Sequence, residues 1–226
     1  MTFTYYGHSC FSIEVNGKKL LFDPFISGNE LARNIDVNSI EADYILVSHG
    51  HMDHTLDLVP IASRTGAKVI CAWEIFSWLG KQGIDNVHPM NTGGQWKFDF
   101  GTVKCVTAHH SSGLPDGSYG GNPMGFIVTT ADKNFYYSGD TALTMDMQLI
   151  PTWASIDVAI MPLGDNFTMG PEDAVRAAKM VQCEKIVGVH YDTFGFIKID
   201  HNNTNELFTR NGLSLLLPQI GETISI

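Results

Sequence analysis

Residues 49–54, with the sequence HGHMDH, carry four potential metal ligands within six positions. Side chains two residues apart on an extended segment point the same way, so His49 and His51 can bind one cation. Asp53 and His54 follow on a helix-like segment and can turn toward a second cation. Imidazole and carboxylate groups are expected ligands for zinc, manganese, iron or nickel. An isolated His-x-His pair is often a surface or capping pair, whereas the complete cluster on a strand-to-helix loop predicts a metal site.

Positions that follow predicted strands carry further side chains of the ligand type. Strand ends are rigid points from which loops can converge on one place. Five such positions are Asp23, His49, His110, Asp140 and His190. Two histidines of the cluster plus one distant histidine would leave the open coordination position that hydrolytic zinc needs for water.

The hydrophobic pattern predicts many short strands and a few helices, with no linker between them. Predicted strands cover residues 2–6, 10–15, 18–22, 44–47, 68–72, 95–100, 102–108, 124–130, 134–138, 157–161, 185–189, 213–217 and 223–226. Predicted helices cover residues 56–64, 73–82 and 171–181. We expect a single domain over residues 1–226, of the α/β (α+β) class, with sheets packed face to face and helices outside. Each half of the chain has β-hairpins followed by a β-α-β unit, but this similarity between the halves is too weak to define a repeat.

The overall composition limits the classes of partner. The chain has 226 residues, 44% of them hydrophobic, and a net charge of −10. Without a basic surface to neutralise phosphates, a nucleic-acid partner is not expected. A small anionic substrate stays possible, because bound cations can dominate a site locally.

Membrane and export signals are not recognised in the sequence. No apolar stretch approaches the roughly 18 to 20 residues that span a bilayer, and the first residues lack a basic start followed by an apolar run. We therefore predict a cytoplasmic protein. The four cysteines form no CxxC pair and are interpreted as buried, reduced thiols, with metal ligation as the minor alternative.

The six-residue cluster resembles the HxHxDH motif of the metallo-β-lactamase superfamily. The remaining motifs follow in the order of that superfamily: Asp23, the cluster, His110, Asp140 within SGDT, and His190. Three further segments, 7–11 (GHSCF), 164–170 (GDNFTMG) and 190–194 (HYDTF), are similar to a branch of predicted metal-dependent hydrolases related to ascorbate-6-phosphate lactonases. The resemblance implies a four-layer αββα sandwich, two mixed β-sheets with helices outside, and a site along one edge of it.

The same resemblance implies two divalent metal ions, zinc being the first choice and manganese, nickel or iron the alternatives. The first ion would be held by His49, His51 and His110, and the second by Asp53, His54 and His190, with Asp140 bridging the two. Asp23 would accept a hydrogen bond from a ligand histidine and fix its ring; the alternative is a turn residue before Pro24.

The residue pattern leaves alternatives open for several nearby residues. His109 and His110 are adjacent, and we choose His110 as the ligand because its spacing fits the family better. His8 is either a residue of the site or a loop histidine at a hairpin. Asp165 and Asn166 are candidates for the substrate pocket. Single residues with no expected role in the site are Asp57, interpreted as a helix-surface or capping group, and His88 and His201, interpreted as ordinary.

The expected reaction is hydrolysis, in which a metal-bound hydroxide attacks a small ester, lactone or phosphodiester substrate. Asp53 would orient the nucleophile, and His8 would contact substrate or pass a proton. One rival is a non-catalytic metal-binding or sensing protein on the same fold; another is an RNA or DNA phosphodiesterase, which the acidic composition disfavours. A small molecule is thus the expected partner, no membrane partner is expected, and a homo-oligomer is possible.

Overall fold

Two seven-stranded sheets pack face to face, and helices cover their outer surfaces. The computed structural model describes all residues, 1–226. Aromatic side chains fill the space between the sheets: the ring of Phe22 from the first sheet contacts Phe126 and Phe135 of the second, with centroids 6.4 and 5.9 Å apart. The predicted αββα sandwich of two mixed sheets is therefore confirmed.

The first sheet is antiparallel on one side and parallel on the other. Its strands, in spatial order, are β14 (Thr223–Ser225), β1 (Thr2–Gly7), β2 (Cys10–Val15), β3 (Lys18–Phe22), β4 (Tyr44–Leu46), β5 (Lys68–Ala72) and β6 (Val87–Met90). The pairings from β14 to β3 are antiparallel, and those from β3 to β6 are parallel.

The second sheet repeats this plan. Its strands, in spatial order, are β7 (Gln95–Lys97), β8 (Thr102–Thr107), β9 (Met124–Thr129), β10 (Phe135–Tyr137), β11 (Val158–Pro162), β12 (Lys185–Val189) and β13 (Ser214–Leu216). The pairings from β7 to β10 are antiparallel, and those from β10 to β13 are parallel. The weak similarity between the two halves of the sequence thus corresponds to a strand order that both sheets share.

Six helices connect the strands. They are α1 (Met52–Thr55), α2 (Leu58–Thr65), α3 (Trp73–Lys81), α4 (Ile150–Trp153), α5 (Pro171–Val181) and α6 (His201–Arg210). Helix α5 begins with Pro171, whose fixed φ suits a first helical position, and it buries an alanine and valine face against the second sheet. None of the helices is long and apolar enough to cross a membrane.

Three elements escape prediction from the sequence, for physical reasons: β6, α6 and α4, which is a helix of only four residues. Strand β6 contains Pro89, which pairs at the edge of the first sheet, and proline weakens any strand pattern. Helix α6 buries only Thr204 and Phe208, so its hydrophobic periodicity is faint. The helix predicted over 56–64 begins later, at Leu58, because the short helix α1 precedes it.

The interpretation of Asp57 as a helix-surface or capping group is wrong. Its side chain makes no capping hydrogen bond, and the residue is only 3% exposed. The carboxylate instead accepts hydrogen bonds from the backbone N–H groups of Ile26 and Ser27, at 2.6 and 2.9 Å, and from the Ser27 hydroxyl at 2.5 Å. Asp57 therefore holds the loop that follows Asp23.

We predict that Asp57→Ala lowers the free energy of unfolding by about 3 kcal/mol, because it leaves buried backbone donors without a partner. Urea unfolding followed by circular dichroism measures this loss. Asp85→Ala is the matched control, since Asp85 is exposed and its side chain makes no hydrogen bond. Equal stability of the two variants would contradict the role of Asp57.

Candidate metal centre

The structure gathers all the predicted ligand residues at one edge of the sandwich. They are His49, His51, Asp53, His54, His110, Asp140 and His190. Each comes from a loop or short helix that follows a strand, at the ends of β4, β8, β10 and β12. The strand ends therefore place these side chains, as the sequence pattern predicts.

Three histidines form a first group. The Nε2 atom of His49 lies 2.9 Å from Nδ1 of His51, and one ring nitrogen of His110 lies within 4.8 Å of both. The planes of these rings are steeply inclined, at 79° between His49 and His51 and 89° between His49 and His110. Their nitrogens thus converge on a point instead of stacking ring on ring.

A second group surrounds the carboxylate of Asp140. Its Oδ2 atom lies 3.0 Å from Nε2 of His190 and 3.2 Å from Nε2 of His54. The same oxygen lies 3.7 Å from Nε2 of His110 and 4.0 Å from Nε2 of His49, which belong to the first group. Asp140 therefore stands between the two groups.

His8 lies inside this cluster. Its buried ring places Nε2 3.2 Å from Oδ2 of Asp53 and Nδ1 3.0 Å from the hydroxyl of Thr193. The rings of His8 and His190 are 4.1 Å apart, and the N–H of His190 donates to the carbonyl of His8 at 2.8 Å. His8 is thus placed with the residues expected to hold the second ion, and Thr193 is a neighbour that the sequence reasoning did not single out.

Asp23 is fully buried and saturated with hydrogen bonds. It accepts from the N–H and the hydroxyl of Ser48, at 2.7 and 2.6 Å, and from the hydroxyl of Tyr137 at 2.6 Å. Nδ1 of His54 lies 2.9 Å from Asp23 Oδ2. A proton on that nitrogen leaves Nε2 of His54 free to face Asp140. The partners Ser48 and Tyr137 were missed in the sequence, although both lie at the ends of predicted strands.

Burial keeps the first group uncharged. Loss of solvent lowers the pKa of His49 well below its ordinary value, with the neighbouring His54 adding to the effect. Burial also lowers the pKa of His51 and of His110. Neutral imidazoles present lone pairs, which is the state that ligates a cation.

In the second group, histidines and carboxylates stabilise each other's charged forms. Burial disfavours charge on His54, but the carboxylates of Asp140 and Asp23 hold its pKa well above the ordinary value. Burial likewise opposes charge on Asp140, yet His190 and His54 hold its pKa well below the usual range. Burial, reinforced by His190, lowers the pKa of His8 to about 3.

Three buried polar atoms of this cluster have no hydrogen-bond partner, as expected where bound cations would supply the missing interactions. They are Nε2 of His54, Oδ1 of Asp140 and Nδ1 of His190. Leaving such atoms unpaired costs about 1–3 kcal/mol each. Imidazole and carboxylate donors at these spacings match the ligands of zinc and related divalent ions. The residues therefore fit a metal centre.

Other histidines lie outside the cluster. His109 is exposed, with its N–H donating to the hydroxyl of Thr141 at 2.9 Å, so it is His110 that turns inward. His88 packs beside Trp96, and His201 pairs with Asp192 at 2.6 Å.

Asp165 and Asn166 are exposed on the loop after β11. Asp165 lines a cavity of about 370 Å³ beside α6, and none of the predicted ligands lines that cavity. The structure does not bring this pair into the cluster, and their contact with substrate stays a prediction.

Comparison with known proteins agrees with the motif order. The profile of a family described as "Beta-lactamase superfamily domain" matches residues 18–191. The chain is 52% identical to a UPF0173 metal-dependent hydrolase of Flavobacterium johnsoniae, with all of both chains covered. A relative of the same description from Christiangramia forsetii is 48% identical, again over the full length of both chains.

Solved structures show the same fold. Igni18, described as a novel metallo hydrolase from Ignicoccus hospitalis, superposes with a TM-score of 0.87 at 32% identity, covering 99% of this chain and 97% of the other. An isothiocyanate hydrolase from Delia radicum gut bacteria superposes with a TM-score of 0.79, covering 100% and 99% of the two chains; at 20% identity it shows the fold alone. The chain therefore belongs to the β-lactamase superfamily and, within it, to the UPF0173 metal-dependent hydrolase family.

Proposed function

We propose that this protein is a metal-dependent hydrolase with a two-metal site that acts on a small ester, lactone or phosphodiester. The observation that carries the proposal is the placement of two groups of ligands on either side of Asp140. The hydrolase names of the relatives support the reaction class. The narrower resemblance to ascorbate-6-phosphate lactonases stays a prediction.

In this proposal each group of side chains would hold one ion. His49, His51 and His110 would hold the first and Asp53, His54 and His190 the second, with Asp140 available to both. Divalent ions bound there would lower the pKa of a coordinated water to about 7 and so supply hydroxide at neutral pH. Zinc is our first choice, while manganese, nickel and iron suit the same donors.

The chain's own groups then orient the reactants and move a proton. The carboxylate of Asp53 orients the attacking water, and its Oδ2 atom lies 3.2 Å from Nε2 of His8. The Thr193 hydroxyl, 3.0 Å from Nδ1, keeps the His8 ring in that orientation. We propose that the Asp53 carboxylate takes a proton from the attacking water and passes it to the leaving group, while the Nε2–H of neutral His8 donates to Asp53 and positions it.

We also propose a cytoplasmic location. All four cysteines, at positions 10, 71, 105 and 183, are buried free thiols, which is the state expected in a reducing compartment.

We predict that His51→Ala and Asp140→Ala each abolish turnover and reduce the bound metal. Metal content is measured by mass spectrometry, and turnover with a panel of lactones, thioesters and cyclic phosphodiesters. His109→Ala is the matched control, because His109 is exposed and adjacent to a proposed ligand. An unaltered rate in His51→Ala would refute the assignment. Stoichiometric metal with no turnover across the panel would favour the non-catalytic, metal-sensing alternative.

The lowered pKa values of His49, His51 and His110 predict how the metal responds to pH. Protons compete for a ligand nitrogen only near and below its pKa, and an ordinary histidine titrates at about 6.5. We therefore expect one equivalent of metal, the ion proposed for these three histidines, to stay bound from pH 8 down to about pH 6.5, whereas the second ion leaves at higher pH because the pKa of His54 is raised. Dialysis at stepped pH with metal analysis measures this, and a fall below one equivalent above pH 6.5 would contradict it.

Asp23→Asn tests the buried carboxylate that orients His54. We predict a 10- to 100-fold loss of metal affinity, the range typical for partners of ligand side chains, with the fold retained in circular dichroism. Competition with a chelator gives the affinity. Tyr137→Phe removes only one donor to Asp23 and should weaken binding less. The same affinity in Asp23→Asn as in the unmodified protein would contradict the role of Asp23.

A further inference from the structure

Three exposed phenylalanines lie on two loops at the edge that carries the candidate metal centre. We call Phe167, Phe194 and Phe196, which are 53%, 38% and 78% exposed, the phenylalanine rim. The rings of Phe167 and Phe196 form a pair with centroids 6.4 Å apart. Single exposed apolar side chains are common, but a grouped set of large ones beside a candidate site indicates a binding surface.

One residue of the rim, Phe194, lies beside the proposed catalytic groups. The ring of Phe194 lies 5.4 Å from that of His8 and 6.4 Å from that of the buried Phe25. His8 in turn pairs with Asp53 at 3.2 Å. A substrate group in contact with Phe194 would therefore lie one side-chain layer from the pair formed by His8 and Asp53.

The loops that carry the rim are fixed at their bases. A Cβ atom on Gly164 would clash with the carbonyl oxygen of His190, so the two loops pack backbone against backbone. Asp192 accepts a hydrogen bond from the N–H of Ile199 at 3.1 Å and pairs with His201 at 2.6 Å. These contacts hold the backbone that carries the three rings in place, so less conformational entropy is lost when a ligand binds.

The charges around the centre do not favour an anionic group at the rim. Every ion pair within the cluster joins a histidine to an aspartate, and none includes lysine or arginine. Lys198 and Arg210 line the cavity beside α6, which no rim residue lines. An uncharged, apolar group needs no cationic partner and gains from contact with the rings.

We infer that the phenylalanine rim binds an apolar arm of the substrate, aryl or branched alkyl, next to the bond that is hydrolysed. The inference rests on the proposed function and narrows its substrate class. Esters and lactones with a bulky uncharged substituent are preferred over their unsubstituted or phosphorylated counterparts. Phe194 is the specificity-determining residue, because it alone of the three contacts His8.

The first test compares two lactones, γ-phenyl-γ-butyrolactone and γ-butyrolactone, with the zinc-loaded protein. We expect kcat/KM to favour the phenyl compound by at least about tenfold, the gain from burying part of one ring. Phe194→Ala should remove that preference by raising KM for the phenyl compound only. Trp96→Ala, at a more exposed aromatic residue on β7, is the control and should leave the preference intact. Equal losses on both lactones would overturn the inference.

The second test measures binding without turnover. Calorimetry of the zinc-loaded protein with phenylacetate and with acetate should show about tenfold tighter binding of phenylacetate, lost in Phe194→Ala and kept in Trp96→Ala. If no lactone is hydrolysed but phenylacetate still binds in this pattern, the proposed lactone hydrolysis is refuted and the apolar binding site at the phenylalanine rim is supported. Equal binding of the two acids overturns the apolar site. A change of particle mass in light scattering for Phe194→Ala or Phe196→Ala also overturns it, because a second copy of the chain would then cover the rim.

Discussion

One buried carboxylate joins the parts of the molecule that must meet at the candidate site. Asp23 accepts hydrogen bonds from Ser48, which follows β4 of the first sheet, and from Tyr137, which ends β10 of the second. It also lies against His54 of α1. A buried carboxylate is stable only when its oxygens are saturated. The hydrogen bonds to Asp23 therefore link both sheets to the proposed ligand His54. The packing of the two sheets during folding thus also positions His54.

The shared strand order of the two sheets explains where acidic residues appear. Strand β3 in the first sheet and β10 in the second are the strands at which antiparallel pairing changes to parallel. Asp23 follows β3, and Asp140 follows β10. At such a strand the chain leaves by a crossover connection and not by a tight hairpin turn. Each sheet thus contributes one aspartate at the start of its first crossover connection, and face-to-face packing brings the two toward the same histidines.

Local patterns were sufficient for most of the architecture. Strands such as β2, β3, β5 and β12 have the predicted bounds, because their buried faces carry uninterrupted apolar or alternating residues. The elements that escaped have weak patterns: β6 contains a proline, and α6 is polar over most of its surface. Asp57 was misassigned because its position before a helix is also typical of a cap, while its true partners lie in a loop distant in the sequence.

The sequence by itself determined which side chains are candidates for the chemistry, since HGHMDH and the residues after four strands are ligand types at recognisable spacing. The motif spacing already favoured His110 over His109, and the structure turns His110 inward. Only the tertiary structure decided the contacts of His8 with Asp53 and of Phe194 with His8. The physical reason is that these contacts depend on loops from distant parts of the chain. Bonds such as His190 N–H to the His8 carbonyl set the loop paths, and no local pattern records them.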